Sequence, residues 1–379
     1  MPGWELIGME ERRAVMDVFE LAPQGHLFTN KAKVREFEQA VAAHLGMEEA
    51  VSVSSGSAAL KVGLTALGVR RGDEVITQAH TFVATVEAIV ECGATPIIAD
   101  IDDTLNMDPL DLRKKITDKT KVILPVHMLG VAARMSEIMA IAQYYRLFVL
   151  EDTAQAFSGT WRGRTLGTLG DVGCFSFSYS KLLTTGEGGM VVARDPAVLH
   201  RARAYADHGH DSNPAAPSRG QDTHTRPGFN FRLGAFQAAV GLAQLRKVEA
   251  SLKVHRAHKA ALKAALRQAL PSLRFRTVPD ESGDLGDAVV FFLETEPQAQ
   301  QVARRLFEQD HIALKNLPDA LNWHYAGEWG HLLGQQANTL TISGDLLRRS
   351  VALQVSARWT EPDILRLAQT VAAAVKEVT

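Results

Sequence analysis

Cysteine is scarce: only Cys92 and Cys174 occur in 379 residues. Both sit among apolar neighbours, with no CxxC pair and no Cys/His cluster, so no structural metal site is indicated. Such usage suits a reducing compartment, and the cytoplasm is the expected location. No run of about 18 apolar residues occurs, so no membrane span is expected. The opening MPGWELIGMEERRAV carries acids where a secretory signal needs an apolar core. An excess of one charge is missing too. With 41 Lys and Arg against 43 Asp and Glu, the formal net charge is −2, which gives no reason to expect nucleic acid as a partner. Neither GxGxxG nor the Walker pattern GxxxxGK[ST] is found, which argues against a dinucleotide fold and a P-loop. No internal repeat or low-complexity tract is visible.

What remains is ordinary globular material, 46% hydrophobic and 22% charged, long enough for two domains and a large core. From residue 50 to 195 short β-rich runs alternate with helical stretches. The runs are Ala50–Val53, Glu74–Thr77, Thr95–Ala99, Lys121–Val126, Leu147–Leu150, Val172–Phe177 and Met190–Ala193. Ser57–Leu67 carries Leu60, Leu64 and Leu67 on one helical face, and Met135–Tyr144 carries Met135, Ile138 and Ile141. The alternation predicts an α/β layer around a mainly parallel sheet, and the lack of polar alternation in the strands predicts burial on both faces. Leu233–Leu270 reads as long, Ala-rich and helical. A smaller α+β part follows, with strands at Asp287–Thr295 and Val351–Val355 and a helix at Gln298–Gln309. TEPD at 360–363 reads as a further helix start. The expected division is an N-terminal arm over 1–20, a large domain over 21–247 and a small C-terminal α+β domain over 248–379.

Three stretches carry chemistry. In SVSSGSAAL (52–60) a strand turns into a helix, and Gly56 lets an anion approach the free amides there. A plain N-cap by Ser55 or Ser57 is the other reading. In LFVLEDTAQAFSG (147–159), Asp152 ends an apolar strand and Gln155 follows three residues later. That acid is either a helix cap or a functional carboxylate at the ligand-binding end of the sheet. In FSFSYSKLLTTGEGGMVV (175–192), the lone Lys181 lies between two apolar runs. It is either a solvated hairpin lysine or a buried amine. Joined at the ends of strands, an anion cradle, a carboxylate and a lysine suit pyridoxal phosphate. They would hold its phosphate, its pyridinium nitrogen and its imine carbon respectively.

At these motifs the chain resembles the DegT/DnrJ/EryC1/StrS family of pyridoxal-phosphate sugar aminotransferases. Further segments carry the likeness: GDEVITQAHTFVAT (72–85), GATPIIADID (93–102), TKVILPVHMLG (120–130) and GFNFRLGAFQAAVGLAQL (228–245). The resemblance implies fold type I, with a mainly parallel seven-stranded sheet in the large, cofactor-binding domain. It implies Lys181 as the Schiff-base lysine and Asp152 against the pyridinium nitrogen. Gln155 would lie on the 3-hydroxyl side, and Ser57, Ala58 and Ser176 on the phosphate. His80 would stack on the ring where the family often has a larger aromatic. Asn230 would reach the phosphate of the neighbouring subunit, making the active unit a homodimer. His80 as a loop histidine, Asn230 as a turn former and Ser176 as a backbone-bonded strand serine are the bland alternatives. His127 is expected to pack beneath the site.

The implied reaction moves an amino group from L-glutamate to a keto- or aldehydo-sugar. A sugar dehydratase of the same family, which would have histidine in place of Lys181, and a non-catalytic scaffold are the alternatives. Trp323, His324, Trp329 and His331 stand where nucleotide-sugar members carry a different loop, and they are either a substrate wall or core packing. MPGWELIG, DHGHDSNP and this loop resemble the branch that forms 8-amino-3,8-dideoxy-manno-octulosonate for lipopolysaccharide, the alternative being a nucleotide-linked 3- or 4-keto-sugar. An acidic substrate would need a cation, with Arg219, Arg226 and Lys315 as candidates.

Overall fold

The computed structural model describes residues 3–21, 31–210, 227–315 and 320–379. Its strands in chain order are β1 (Val51–Val53), β2 (Glu74–Gln78), β3 (Thr95–Ala99), β4 (Thr120–Ile123) and β5 (Phe148–Asp152). A short hairpin of β6 (Thr160–Trp161) and β7 (Arg164–Thr165) follows, then β8 (Val172–Ser176) and β9 (Gly189–Ala193). Seven of them form one sheet in the order β1-β9-β8-β5-β4-β2-β3. Strands β8, β5, β4, β2 and β3 run parallel, and β9 is antiparallel to both its neighbours. The fold is therefore α/β of the expected kind.

Both faces of the sheet are covered, and the period of two along each strand shows how. Ile123, Val149, Phe175 and Val192 enter one apolar cluster, closed by the helices Lys31–Leu45, Met135–Tyr145 and Ala235–Leu245. Their chain neighbours Val122, Leu150, Cys174 and Val191 enter another, closed by Gly56–Ala66 and Pro196–Ala206. A sheet covered on both sides has its strand ends free, and the site forms there.

A second sheet is antiparallel: β10 (Arg274–Phe275), β11 (Ala288–Phe292) and β12 (Ser350–Gln354), in that order. The helices Val248–Ala269 and Glu361–Lys376 share an apolar cluster with it. The TEPD start is confirmed. Thr360 and Asp363 form a capping box, with Pro362 in the first turn.

Two helical expectations gain detail. The helical stretch Leu233–Leu270 is made of two helices, Ala235–Leu245 and Val248–Ala269. The Lys247 N–H bonds Gln244 O, tightening the turn, while its amine takes Leu6 O, Glu10 and Glu11. The first helix packs on Met9–Leu21 and Lys31–Leu45, and the second on Glu361–Lys376. The helix expected at Gln298–Gln309 runs as α-helix from Glu296 to Arg304 and then widens into a π turn over Arg305–Gln309. No helix among the described residues is long and apolar enough to cross a membrane.

Candidate active site

Asp152 closes β5 at the carboxyl edge of the sheet, 3% exposed. One carboxylate oxygen accepts from the Thr85 hydroxyl at 2.8 Å and the other from Ala154 N at 3.1 Å. Burial pushes its pKa above the usual carboxylate range, while these two bonds and the Lys181 charge pull the other way. Asp152 is thus a buried acid whose protein donors are both neutral. Such a group calls for a cationic partner.

Lys181 lies beyond β8, the parallel neighbour of β5, in the turn that leads to β9. Its backbone is pinned on both sides, the N–H to Ser178 O at 3.0 Å and the carbonyl by Gly3 N at 2.6 Å. Burial lowers the amine's pKa most, the Lys315 charge lowers it further, and Asp152, Asp287 and Glu187 oppose this. An ordinary lysine amine, with a pKa of about 10.4, is almost wholly protonated at neutral pH. The shift here increases the nucleophilic fraction. Lys315 is itself paired with Asp287 at 3.1 Å.

Beneath lies a saturated platform. The fully buried Glu151 accepts from Gly167 N, Leu169 N, Gly170 N and His127 Nε2, at 2.7–3.1 Å. Nδ1 of His127 accepts from Ala133 N at 3.1 Å, so Nε2 carries the ring proton. His127 therefore packs under the site, with both its ring nitrogens occupied.

At the start of Gly56–Ala66 the cap is Ser55, whose hydroxyl accepts from Ala58 N at 3.0 Å. Of the two capping serines the sequence offers, Ser55 is the one that caps. Ser57 is exposed, and the N–H of the buried Ala58 is already engaged by the cap. Ser176 is buried against the same turn. A Cβ built on Gly56 would fall 2.7 Å from the Ser176 Cβ and 3.0 Å from its hydroxyl. A cavity of about 470 Å³ opens beside it, lined by Ser55, Ser57, Ala58, Lys61 and Phe229 among others. Asn230 is exposed, bridges Asp207 and accepts from Arg232 N at 3.4 Å.

On the other side, Gln155 accepts from Leu129 N at 3.0 Å. His80 is buried and donates through Nδ1 to Leu105 O at 2.9 Å. Burial lowers its pKa to about 3, aided by the charges of His324 and Arg276, so the ring is neutral. The helix Ala320–His324 is tied to this edge. Thr81 N bonds His324 O, Ala326 N bonds Ala79 O, and Tyr325 bridges His80. Burial and the charges of Lys181 and Lys315 lower the His324 pKa to about 4, and its Nδ1 is buried without a hydrogen-bond partner among the described residues. Trp323 is exposed and stacks on Phe82, with centroids 6.3 Å apart.

The remaining substrate candidates divide. Trp329 is core, its indole donating to Asn322 O at 2.7 Å. His331 is exposed on the helix Gly330–Leu333 and no described contact ties it to the site. Arg219 and Arg226 lie outside the described residues. Thr85, Glu151 and Asp287 were missed by sequence reasoning. The signal for Asp287 was an acid placed directly before the apolar run AVVFF.

A model of the DegT/DnrJ/EryC1/StrS aminotransferase family matches residues 8–372. The chain belongs to that family. It is similar to the spore coat polysaccharide biosynthesis protein SpsC of Bacillus subtilis, 41% identical over 251 residues, which cover 64% of this chain and 63% of that protein. GDP-perosamine synthase of Caulobacter vibrioides is 39% identical over 218 residues, 57% of each chain. The chain therefore spans less than two thirds of the length of either relative. Among solved structures, an aminotransferase from Psychrobacter cryohalolentis matches with a TM-score of 0.86 and 26% identity over 98% of both chains. DegT/DnrJ family aminotransferases use pyridoxal phosphate. The residues here suit that group: a buried acid whose hydrogen-bond donors are both neutral, an amine of lowered pKa, and a helix start packed closely against Ser176.

Proposed function

We propose that this chain is a pyridoxal-phosphate-dependent sugar aminotransferase of polysaccharide or lipopolysaccharide biosynthesis, working in the cytoplasm with L-glutamate as donor. The observation that carries this reading is that buried Asp152 closes β5 while Lys181 lies in the turn just beyond its parallel neighbour β8. Bound pyridoxal phosphate would supply the electron sink that lets an amino group leave one carbon and join another. Asp152 would face its ring nitrogen, with Thr85 and Ala154 N orienting the carboxylate. Gly56, Ser57 and Ser176 would hold its phosphate, His80 would cover its ring, and Gln155 would lie toward its 3-hydroxyl. Lys181 Nζ would take a proton from the substrate carbon as general base and return it as general acid.

The preferred acceptor is the aldehyde precursor of 8-amino-3,8-dideoxy-manno-octulosonate. The loop resemblance and the cation Lys315 beside Lys181 support it. A screen of that aldehyde against nucleotide-linked 3- and 4-keto-sugars, with glutamate as donor, tests the choice. Amination confined to the nucleotide-linked sugars would sink it. Lys181→Ala should abolish turnover and borohydride trapping of the cofactor; retention of either would end the aminotransferase reading. The working unit is a homodimer in which Asn230 serves the neighbouring site. Its exposure in the single chain supports this. Mixed dimers of Lys181→Ala and Asn230→Ala should regain activity that neither variant has alone, and a failure to do so refutes the sharing.

A further inference from the structure

Arg276 follows β10, with its N–H bonded to Val290 O at 2.9 Å, and only 5% of the residue is exposed. Its Nε donates to the carbonyl of Thr104. The next carbonyl, Leu105 O, holds His80, so the guanidinium and the His80 ring bind consecutive carbonyls of one loop. Both terminal nitrogens are buried, with no hydrogen-bond partner among the described residues. Three acids bear on the group from a distance, and each already has another cation. Asp284 holds Lys259, Asp102 holds Arg134 at 2.8 Å, and Asp287 holds Lys315 at 3.1 Å. Burial lowers the pKa to about 10, which leaves the group charged at neutral pH. A desolvated charge with an unused planar fork is unfavourable to keep unless something occupies it.

A guanidinium fork matches a carboxylate bidentately. The cation that bears on Lys181 is Lys315, whereas Arg276 bears on His80. A carboxylate next to the reacting carbon therefore falls to the Lys315 side. We infer that Arg276 binds a carboxylate several bonds removed from the reacting carbon. That group is either the γ-carboxylate of the amino donor or the acid group of a sugar-acid acceptor. The inference rests on the amine-transfer reading for its substrates, but not for its binding test.

The test is calorimetric titration of the holoenzyme with glutarate and with pentanoate, acids of equal length that carry two carboxylates and one. Arg276→Met should weaken glutarate by about 30-fold and leave pentanoate unchanged, with Arg276→Lys between. Its melting temperature should hold or rise, since an unpaired buried charge is removed; a structural arginine would lower it. Equal glutarate affinity in wild type and Arg276→Met, equal loss for both acids, or no glutarate binding by wild type overturns the proposal. Half-reactions followed by cofactor absorbance identify the source. Selective slowing with glutamate but not alanine marks the donor, and selective slowing with the acidic sugar but not a neutral one marks the acceptor. A wild-type enzyme that binds glutarate but shows no absorbance response to glutamate would defeat the aminotransferase reading and leave the anion site standing.

Discussion

The hydroxyl of Thr85, on the helix after β2, donates to Asp152 at the end of β5 across 2.8 Å of buried space. That bond is one of two that steady the acid on which the proposed chemistry depends. Thr85→Val keeps the shape and removes the donor. Cofactor affinity should fall about tenfold, roughly 1.4 kcal/mol, while Thr85→Ser should stay near wild type. Equilibrium dialysis of cofactor checks this, and unchanged affinity in Thr85→Val would remove the bond from the account.

Lys315 and Asp152 push Lys181 in opposite directions, with burial the larger effect. Lys315→Met should therefore raise the Lys181 pKa. Only the neutral amine reacts, so the rate of cofactor loading climbs as pH rises through that pKa. Its midpoint should move upward in the variant, with about a tenfold slower rate at neutral pH for each unit moved. Absorbance-monitored loading across pH measures it, and an unmoved midpoint contradicts the coupling.

His80 links the site to acid stability. Its folded pKa is about 3, against 6.5 for a free imidazole. Between those values the unfolded chain binds a proton that the folded chain refuses. The contribution is thus complete above the unfolded value and is lost as pH falls below it, reaching about 2 kcal/mol near pH 5. His80→Gln should flatten this part of the profile. Urea midpoints at about pH 7.5 and about pH 5 provide the comparison, and equal slopes in both proteins would exclude His80 as the source.

Gly56 has space for a hydrogen and nothing larger. Gly56→Ala should cost about 1–3 kcal/mol, because the new methyl meets Ser176 at 2.7 Å. The double change Gly56→Ala with Ser176→Gly should regain most of that loss in urea melts. Additive losses would show that the two residues do not meet.

Much of the sheet was legible in the sequence, because a strand buried on both faces must be apolar throughout. The run at 95–99 matched β3 end for end. Asp152 and Lys181 stood out as polar residues interrupting such runs. The helix break at Arg246–Lys247, next to the division placed at 247, has no local mark, since both residues favour helices and Lys247 is held by Glu10 and Glu11, far away in the chain. Arg276 was missed for a similar reason. Nothing near it in the chain marks a buried arginine, and only the approach of β10 to the loop after β3 desolvates it.

The splice of residues 324–326 onto residues 79–81 has a practical consequence for anyone redesigning the protein. The segment that would greet the sugar and the loop that carries His80 share main-chain bonds, so neither can be exchanged as an independent module. A graft of one without the other leaves amides and carbonyls of the host unmatched. On the proposed function, specificity would be inherited in paired segments.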